Sequence, residues 1–375
     1  MKVLLLTSSL ASRGGIQRYT MTLERALKDL VGSQSVRRVG LGEDPAEQGR
    51  GRLSARAKWR FGFQAVREAV RWRPDLIICT HLALAPVGWL LASVGRRPYW
   101  VVVYGIEVWV SLPWAKRSAL RHARRVIVIS NFSREQITKR HQIKPERLSL
   151  LPCALDDALT TVEPARTGPH QSLADGQRVV LTVARMVAAE QYKGHDAILR
   201  ALPHVLDWVP NLAYVVVGEG DDRSRIEALA DSLGLRPHVI FTGAVSDSQL
   251  AALYKRADVF ALPARTVLTG QEAKGEGFGI VFLEAMAFGK PVIGPSEGAP
   301  AEIIHHGQHG LLVNPENSAA LAEALVDLLT NPDKAREMGQ AGSDWVRRHY
   351  SYGSFRKKLG GILGDYAQPR SSMTQ

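Results

Sequence analysis

Short runs of branched apolar residues, each closed by a small or polar residue and followed by a helix-length stretch, recur from one end of the chain to the other. "KVLLLTS" precedes the helical pattern from Ile16 to Leu30, "LIICT" precedes an apolar stretch after His81, "WVVVYG" leads to Ile106, and "RVIVIS" opens a helix near Asn131. After Gly176 the pattern restarts with "RVVLTVA", "AYVVVGEG", "HVIFTGA", "DVFALPA" and "PVIGP". Strands so continuously apolar are buried on both faces, and their alternation with helices predicts βαβ units in parallel sheets. A chain of 375 residues exceeds what one hydrophobic core supports, so two such α/β domains are expected.

The segment "TVEPARTGPHQSLADGQ", Thr161 to Gln177, has prolines and glycines and little periodicity, which places a linker there. The expected division is residues 1–165, residues 166–352, and a final helix with a frayed tail over residues 353–375. Helices are expected at Ala335 to His349 and near Phe355 to Tyr366, with "PRSSMTQ" frayed.

Other classes drop out early. Cys79 and Cys153 give neither a disulfide framework nor a paired metal-ligand spacing, so a reduced, cytoplasmic setting is expected. The opening "MKVLLLTSSLASRGG" has an apolar core of only Val3 to Leu6, too short for a signal peptide. The apolar run Leu82 to Val94 is broken by Pro86 and is shorter than a bilayer span, so a buried helix is expected.

The net charge of +12 is uneven: residues 1–160 carry 27 Lys and Arg against 12 Asp and Glu, and residues 161–375 carry 21 against 24. Much of the excess lies in "GRLSARAKWRFGFQAVREAVRWRPD", which interleaves Arg52, Arg56, Lys58, Arg60, Arg67, Arg71 and Arg73 with Trp59, Phe61, Phe63 and Trp72. A basic amphipathic segment with aromatics suits an anionic membrane surface, and "WVSLPWAKR", Trp109 to Arg117, can extend it. Nucleic acid is not expected, because no recognised nucleic-acid module appears. The plainer reading is a helix with one apolar stripe and a solvated basic face.

The stretch "GEGFGIVFLEAMAFGKPVIG" sets Glu276 and Glu284 around glycines at the entry to a helix that should run from near Gly279 to Phe288. Such an entry leaves backbone N–H groups unpaired at the positive end of the helix dipole, which favours an anionic or hydroxyl-rich ligand. Carboxylates accept hydrogen bonds from sugar hydroxyls. Taken alone, the spacing favours the plainer reading, with Glu276 a helix N-terminal charge and Glu284 a solvated helix residue. Arg185, after "VVLTVA", and Lys193, in "YKG", are cations at strand and helix ends that can bind a diphosphate, although two isolated basic residues are more often surface charges. Gly14 and Gly15 permit close backbone approach or form an ordinary turn. Gly218 and Gly220 close a strand and form an ordinary turn or a ligand contact, "FTGAV" offers Val245 and its neighbours as a candidate nucleobase edge, and Glu107 is a carboxylate or a helix cap. No Asp-x-Asp pair stands at a strand end, and His305 and His306, on an expected helix end, lack ligand spacing, so no metal is expected.

These motifs, with "GIEVW", "RVIVISNFSREQI", "LPCALD", "VLTVARMVAAEQYKGHDAILRAL", "VVVGEGDD", "HVIFTGAVSDSQLAALYKRADVFALPA" and "GQHGLLVNP" in this order, resemble the retaining glycosyltransferases of family four. The resemblance covers nearly the whole chain. It implies a GT-B fold of two Rossmann-like domains facing a cleft, the N-terminal one binding the acceptor and the C-terminal one the nucleotide sugar, with the final helix crossing back to the first. It further implies transfer of a hexose from a nucleoside-diphosphate sugar with retention, and no cofactor. Glu276 would contact the sugar, Glu284 the ribose, Arg185 and Lys193 the diphosphate, and the backbone at Phe278, Gly279 and Ile280 the sugar and phosphates, with Gly15, Gly218 and Val245 at the donor and Gly14, Tyr104 and Glu107 towards the acceptor.

"GEGFGIVFLEA" resembles lipid-directed mannosyltransferases, so GDP-mannose is the first expected donor, ahead of UDP-sugars, and a glycan or lipid-linked molecule at the inner membrane face the expected acceptor. The sequence departs from the family at Tyr104, where relatives often have histidine; tyrosine cannot act as a near-neutral base. That departure is the one hint for the alternative, a non-catalytic membrane- or polymer-binding protein on the same scaffold. A sugar phosphorylase or nucleotide-sugar isomerase would share the scaffold as well.

Overall fold

The computed structural model describes residues 1–8, 14–42, 54–269 and 272–367. Arg52 of the basic stretch and the "PRSSMTQ" tail lie outside them. The chain divides into two compact units, Met1–Ala154 with Tyr352–Gln375, and Leu155–Ser351.

The first unit runs β1 (Val3–Ser8), α1 (Gly15–Val31), β2 (Val36–Leu41), α2 (Ala55–Trp72), β3 (Leu76–Cys79), α3 (Ala85–Gly95), β4 (Tyr99–Val103), α4 (Trp114–His122), β5 (Arg125–Val128), α5 (Asn131–His141) and β6 (Leu148–Leu150). Its strands form one parallel sheet in the order β2-β1-β3-β4-β5-β6. The apolar runs behave as their composition demands: Leu4, Leu5, Ile78, Val101 and Ile127 have no exposed surface.

The second unit runs α6 (Asp157–Thr161), β7 (Arg178–Val183), α7 (His195–Trp208), β8 (Leu212–Val217), α8 (Arg223–Ser232), β9 (Val239–Gly243), α9 (Asp247–Arg256), β10 (Val259–Ala261), β11 (Val267–Leu268), β12 (Ala273–Lys274), α10 (Ile280–Ala287), β13 (Val292–Pro295), β14 (Gly310–Val313), α11 (Ser318–Thr330) and α12 (Pro332–His349). Its main sheet is also parallel, ordered β14-β13-β10-β7-β8-β9. Ile198, Leu202 and Val205 of α7 pack with Leu321, Leu325 and Leu328 of α11 over this sheet. The last helix, α13 (Tyr352–Ala367), returns to the first unit, where Phe355 meets Tyr19 of α1 edge-on at 5.6 Å and the Tyr352 hydroxyl donates to Asp29 at 2.5 Å.

Two expectations differ from the structure. The division expected at residue 165 falls inside the second unit, because the polar segment 161–177 is fastened to it: Ala165 N–H donates to Ser248 O at 2.9 Å and Arg256 donates to Gln177 O at 2.6 Å. Pro and Gly there mark an ordered loop rather than a boundary. The apolar run Leu82 to Val94 forms a 3-10 turn, Leu82–Leu84, followed by α3, but Leu90 and Val94 are exposed. The long loop after β10 holds the antiparallel pair β11 and β12, each too short for a periodic signal. Among the described residues no helix is long and apolar enough to cross a membrane.

Candidate functional site

In the second unit β8 and β9 lie on one side of β7 while β10 returns on the other. In open parallel sheets such a reversal separates the loops leaving the carboxyl ends of the two strands, and ligands bind there. Arg185 and Lys193 follow β7, and Glu276, Phe278 and Gly279 follow β10.

Backbone contacts fix the loop after β7. Gly218 and Gly220 have φ of 140° and 157°, and a Cβ on them would stand 2.1 Å from Ala184 O and 1.9 Å from Met186 O. Only glycine allows that approach in that conformation. Met186 N–H donates to Glu219 O at 3.0 Å and Asp222 N–H to Met186 O at 2.9 Å. Gly218 N–H donates to Gly243 O at 3.0 Å, so this amide holds the loop rather than standing open to a donor sugar.

Lys193 and Glu276 form an ion pair. Burial alone would lower the Lys193 pKa, but the Glu276 carboxylate, with Tyr192 and Glu190, outweighs it and holds the ammonium above the ordinary lysine value. Gly194, at φ 84°, lets the chain turn directly under Pro263, whose carbonyl would be 2.4 Å from a Cβ. The buried Tyr192 hydroxyl is pushed up to about 12 by desolvation, with Lys193, Glu276, Glu190 and Arg185 all near enough to act on it. Five side chains therefore share one locality. Arg185 pairs with Glu190 while staying largely exposed.

Gly279, at φ 95°, is the N-cap of α10, and its missing Cβ leaves room for the Phe282 ring, which would be 2.7 Å away. No side chain caps α10; Phe282 N–H donates back to Gly279 O at 3.0 Å, which leaves the N–H groups of Ile280 and Val281 at the open start of the helix. Phe278 is buried and meets Tyr350 edge-on at 6.0 Å. Glu284 is not solvated: it is 1% exposed and accepts from the Tyr254 hydroxyl of α9 at 3.0 Å. Val245 is half-buried in the turn between β9 and α9.

In the first unit Gly14 is the extended N-cap of α1, and Gly15 has open space where a Cβ would be, so neither position demands glycine. Tyr104 follows β4 and is buried, with its hydroxyl 3.5 Å from Thr20 Oγ1 and its N–H donating to Glu107 Oε1 at 2.6 Å. Burial drives the phenol far above its ordinary pKa. Glu107 thus ties down the turn after β4.

Sequence reasoning missed Glu190, Tyr254, His81 and His195. His195, which opens α7 beside Lys193, is buried with Nε2 unpartnered among the described residues, and desolvation together with the Lys193 charge lowers its pKa to about 4. His305 and His306 follow a 3-10 turn, Ala299–Glu302, instead of an α-helix end. His306 Nδ1 accepts from Leu312 N–H at 3.0 Å, and His305 packs on His309 and Trp345. No cluster of three or more His, Cys, Asp or Glu fit for a metal occurs among the described residues.

Residues 168–345 match the family described as glycosyl transferases group 1, and residues 13–159 match glycosyltransferase family 4. A GDP-mannose-dependent alpha-(1-6)-phosphatidylinositol monomannoside mannosyltransferase of Mycobacterium tuberculosis is 35% identical over 302 residues, covering 78% of this chain and 74% of its own. The enzyme of the same description from Mycolicibacterium smegmatis is 33% identical over 296 residues, covering 77% and 76%. Among solved structures, sucrose-phosphate synthase of Thermosynechococcus elongatus has a TM-score of 0.78 at 22% identity, over 98% of this chain and 99% of its own. Anabaena Alr3699/HepE in complex with UDP has a TM-score of 0.77 at 20% identity, over 97% and 100%. With two parallel-sheet α/β units and both halves matched, the chain belongs to the family-four glycosyltransferases, the glycosyl transferases group 1, and has their GT-B fold.

Proposed function

We propose that this glycosyltransferase moves a mannosyl group from GDP-mannose to a glycan or lipid-linked acceptor, with retention at the anomeric carbon and without a metal ion. The observation that carries the reading is the Lys193 and Glu276 pair beside Arg185 and the uncapped start of α10. A departing diphosphate gathers negative charge, and two fixed cations with a helix N-terminus stabilise that charge more in the transition state than in the bound donor. Lys193, held protonated, and Arg185 take the phosphate oxygens; Glu276 accepts from the sugar hydroxyls. The leaving diphosphate takes the acceptor proton, so no side chain is assigned as general base. Glu284 takes the ribose hydroxyls. Mannose and guanine are favoured by the relatives at 35% and 33% identity, both GDP-mannose-dependent mannosyltransferases.

The acceptor is presented at the inner face of an anionic membrane. On α2 the buried face holds Ala57, Phe61 and Ala65, while Trp59, Phe63, Val66 and Val70 form an exposed stripe at helical spacing, with Trp59 79% exposed. Arg56, Lys58, Arg60, Arg67 and Arg71 flank it and are exposed. Leu90 and Val94 of the adjacent α3, and Trp114 of α4 beyond it, are exposed as well. Apolar insertion with basic flanks is the physical pattern of an interfacial helix.

The test is a thermal-shift panel of GDP, UDP, GDP-mannose and UDP-sugars in chelator, followed by NMR of the product's anomeric configuration. Stabilisation by guanine nucleotides and an α-linked product are expected; stabilisation by uridine nucleotides alone would discard GDP-mannose, and a β-linked product would discard retention.

A further inference from the structure

The first unit has a reversal of its own: β2 lies on one side of β1 and β3 on the other. His81 stands just beyond β3, and Tyr104 and Glu107 just beyond the neighbouring β4, so all three lie at the carboxyl edge where an open parallel sheet receives ligands. The imidazole stacks over the Tyr104 ring at 6.1 Å with 26° between planes. Tyr104 directs its own hydroxyl to Thr20, so what it presents to His81 is ring surface.

The two nitrogens of His81 differ in what they can do. Nδ1 accepts from Ala83 N–H at 3.0 Å, which places the proton of a neutral ring on Nε2. Burial, reinforced by Lys116 and opposed by Glu107, keeps the ring pKa below its ordinary value, so the ring is neutral near pH 7. Nε2 makes no hydrogen bond among the described residues. Glu107 accepts from Tyr104 N–H through Oε1, and its Oε2 has no hydrogen-bond partner among the described residues. Neighbouring groups thus offer one N–H donor and one carboxylate acceptor.

We infer that His81 Nε2–H and Glu107 Oε2 bind two adjacent hydroxyls of a polyhydroxylated ring, a hexose or cyclitol. A vicinal diol supplies both an oxygen to accept from His81 and an O–H to donate to Glu107. A phosphate would meet the Glu107 charge unfavourably. His81 is a positioning group here: its one lone pair is occupied by Ala83, so it cannot take a proton from the bound hydroxyl. Assigning this ring to the acceptor rests on the proposed transfer; the binding site itself does not.

Ligand-observed NMR of the full chain with methyl α-mannoside and with myo-inositol tests it, with the GDP-mannose thermal shift measured in parallel. His81→Asn keeps an oxygen for Ala83 N–H but has no N–H at the Nε2 position. It should weaken binding about two- to tenfold, one neutral hydrogen bond's worth, while leaving the melting midpoint and the GDP-mannose shift unchanged. His81→Gln, which returns an N–H near that place, should recover part of the binding. Undiminished binding by His81→Asn, or no binding of either ring by the unaltered protein, overturns the assignment. So does a lowered midpoint with lost binding that His81→Gln does not restore, since His81 is then only a cap. If ring binding and its loss hold while GDP-mannose gives no shift, the site stands and the donor assignment falls.

Discussion

Lys193 and Glu276, 83 residues apart in sequence, meet as an ion pair at the reversal between β7 and β10. The pair is mostly buried, with side-chain exposures of 13% and 20%. Removing one partner of such a pair strands the other charge. Lys193→Met or Glu276→Gln should each lower stability by about 2–3 kcal/mol and reduce transfer at least a hundredfold. The double variant should regain most of the stability and none of the activity. Denaturant midpoints and initial rates on the four proteins check this; a double variant no more stable than the singles would show that the pair is not coupled.

Tyr254 and Glu284 give a second double test. Tyr254→Phe removes a buried hydroxyl that donates to the carboxylate, and should cost about 1–2 kcal/mol of stability. If Glu284 holds the ribose, loosening it should raise KM for the donor several-fold with kcat nearly unchanged. An unaltered KM in Tyr254→Phe together with an unaltered nucleotide-induced thermal shift in Glu284→Ala would confine Glu284 to a structural part.

Acid sensitivity follows from two buried histidines. Burial, with Lys193 beside His195 and with His305 and His349 beside His309, lowers both pKa values to about 4. The unfolded chain takes these protons first, so the stability contributed by the neutral rings is present above pH 6.5 and is lost as pH falls from 6.5 towards 4, by up to about 3 kcal/mol for each. Neither ring nitrogen of His309 has a hydrogen-bond partner among the described residues. His309→Leu should therefore be as stable as the natural protein or more so at pH 7, and clearly more stable at pH 5. Parallel stability curves for the two proteins between pH 5 and 7 would contradict this.

Membrane association should depend on the outer stripe of α2 as well as its charge. Trp59→Ala with Phe63→Ala should release the protein from anionic liposomes at all ionic strengths, while Arg56→Gln, Lys58→Gln and Arg60→Gln should weaken binding mainly at low salt. Cosedimentation across a salt series separates the two effects. Binding unaffected by both sets of changes would move the contact elsewhere.

The sheets were legible because a parallel strand covered on both faces has to be apolar throughout, as "YVVV" in β8 is. The linker was not, since Pro and Gly signal a turn without saying which unit holds it. Lys193 and Glu276 were reached through the order of motifs; spacing alone left them ambiguous. Glu190 carried no signal, because its pairing with Arg185 spans a loop and a 3-10 segment, Ala188–Lys193, kinked at Glu190 itself, where a spacing of five residues has no fixed geometric meaning. Tyr254 was invisible for another reason: its helix had to be packed against α10 before the hydroxyl had anything to reach. The burial of Glu284 was missed with it.

Because α13 belongs with residues 1–154, the second unit is an insertion within the first. During synthesis the ribosome releases the whole of Leu155–Ser351 before it makes the helix that covers Tyr19 and engages Arg25 and Asp29. The first unit must wait, incomplete, while its successor folds, so the order of synthesis and the order of completion are reversed.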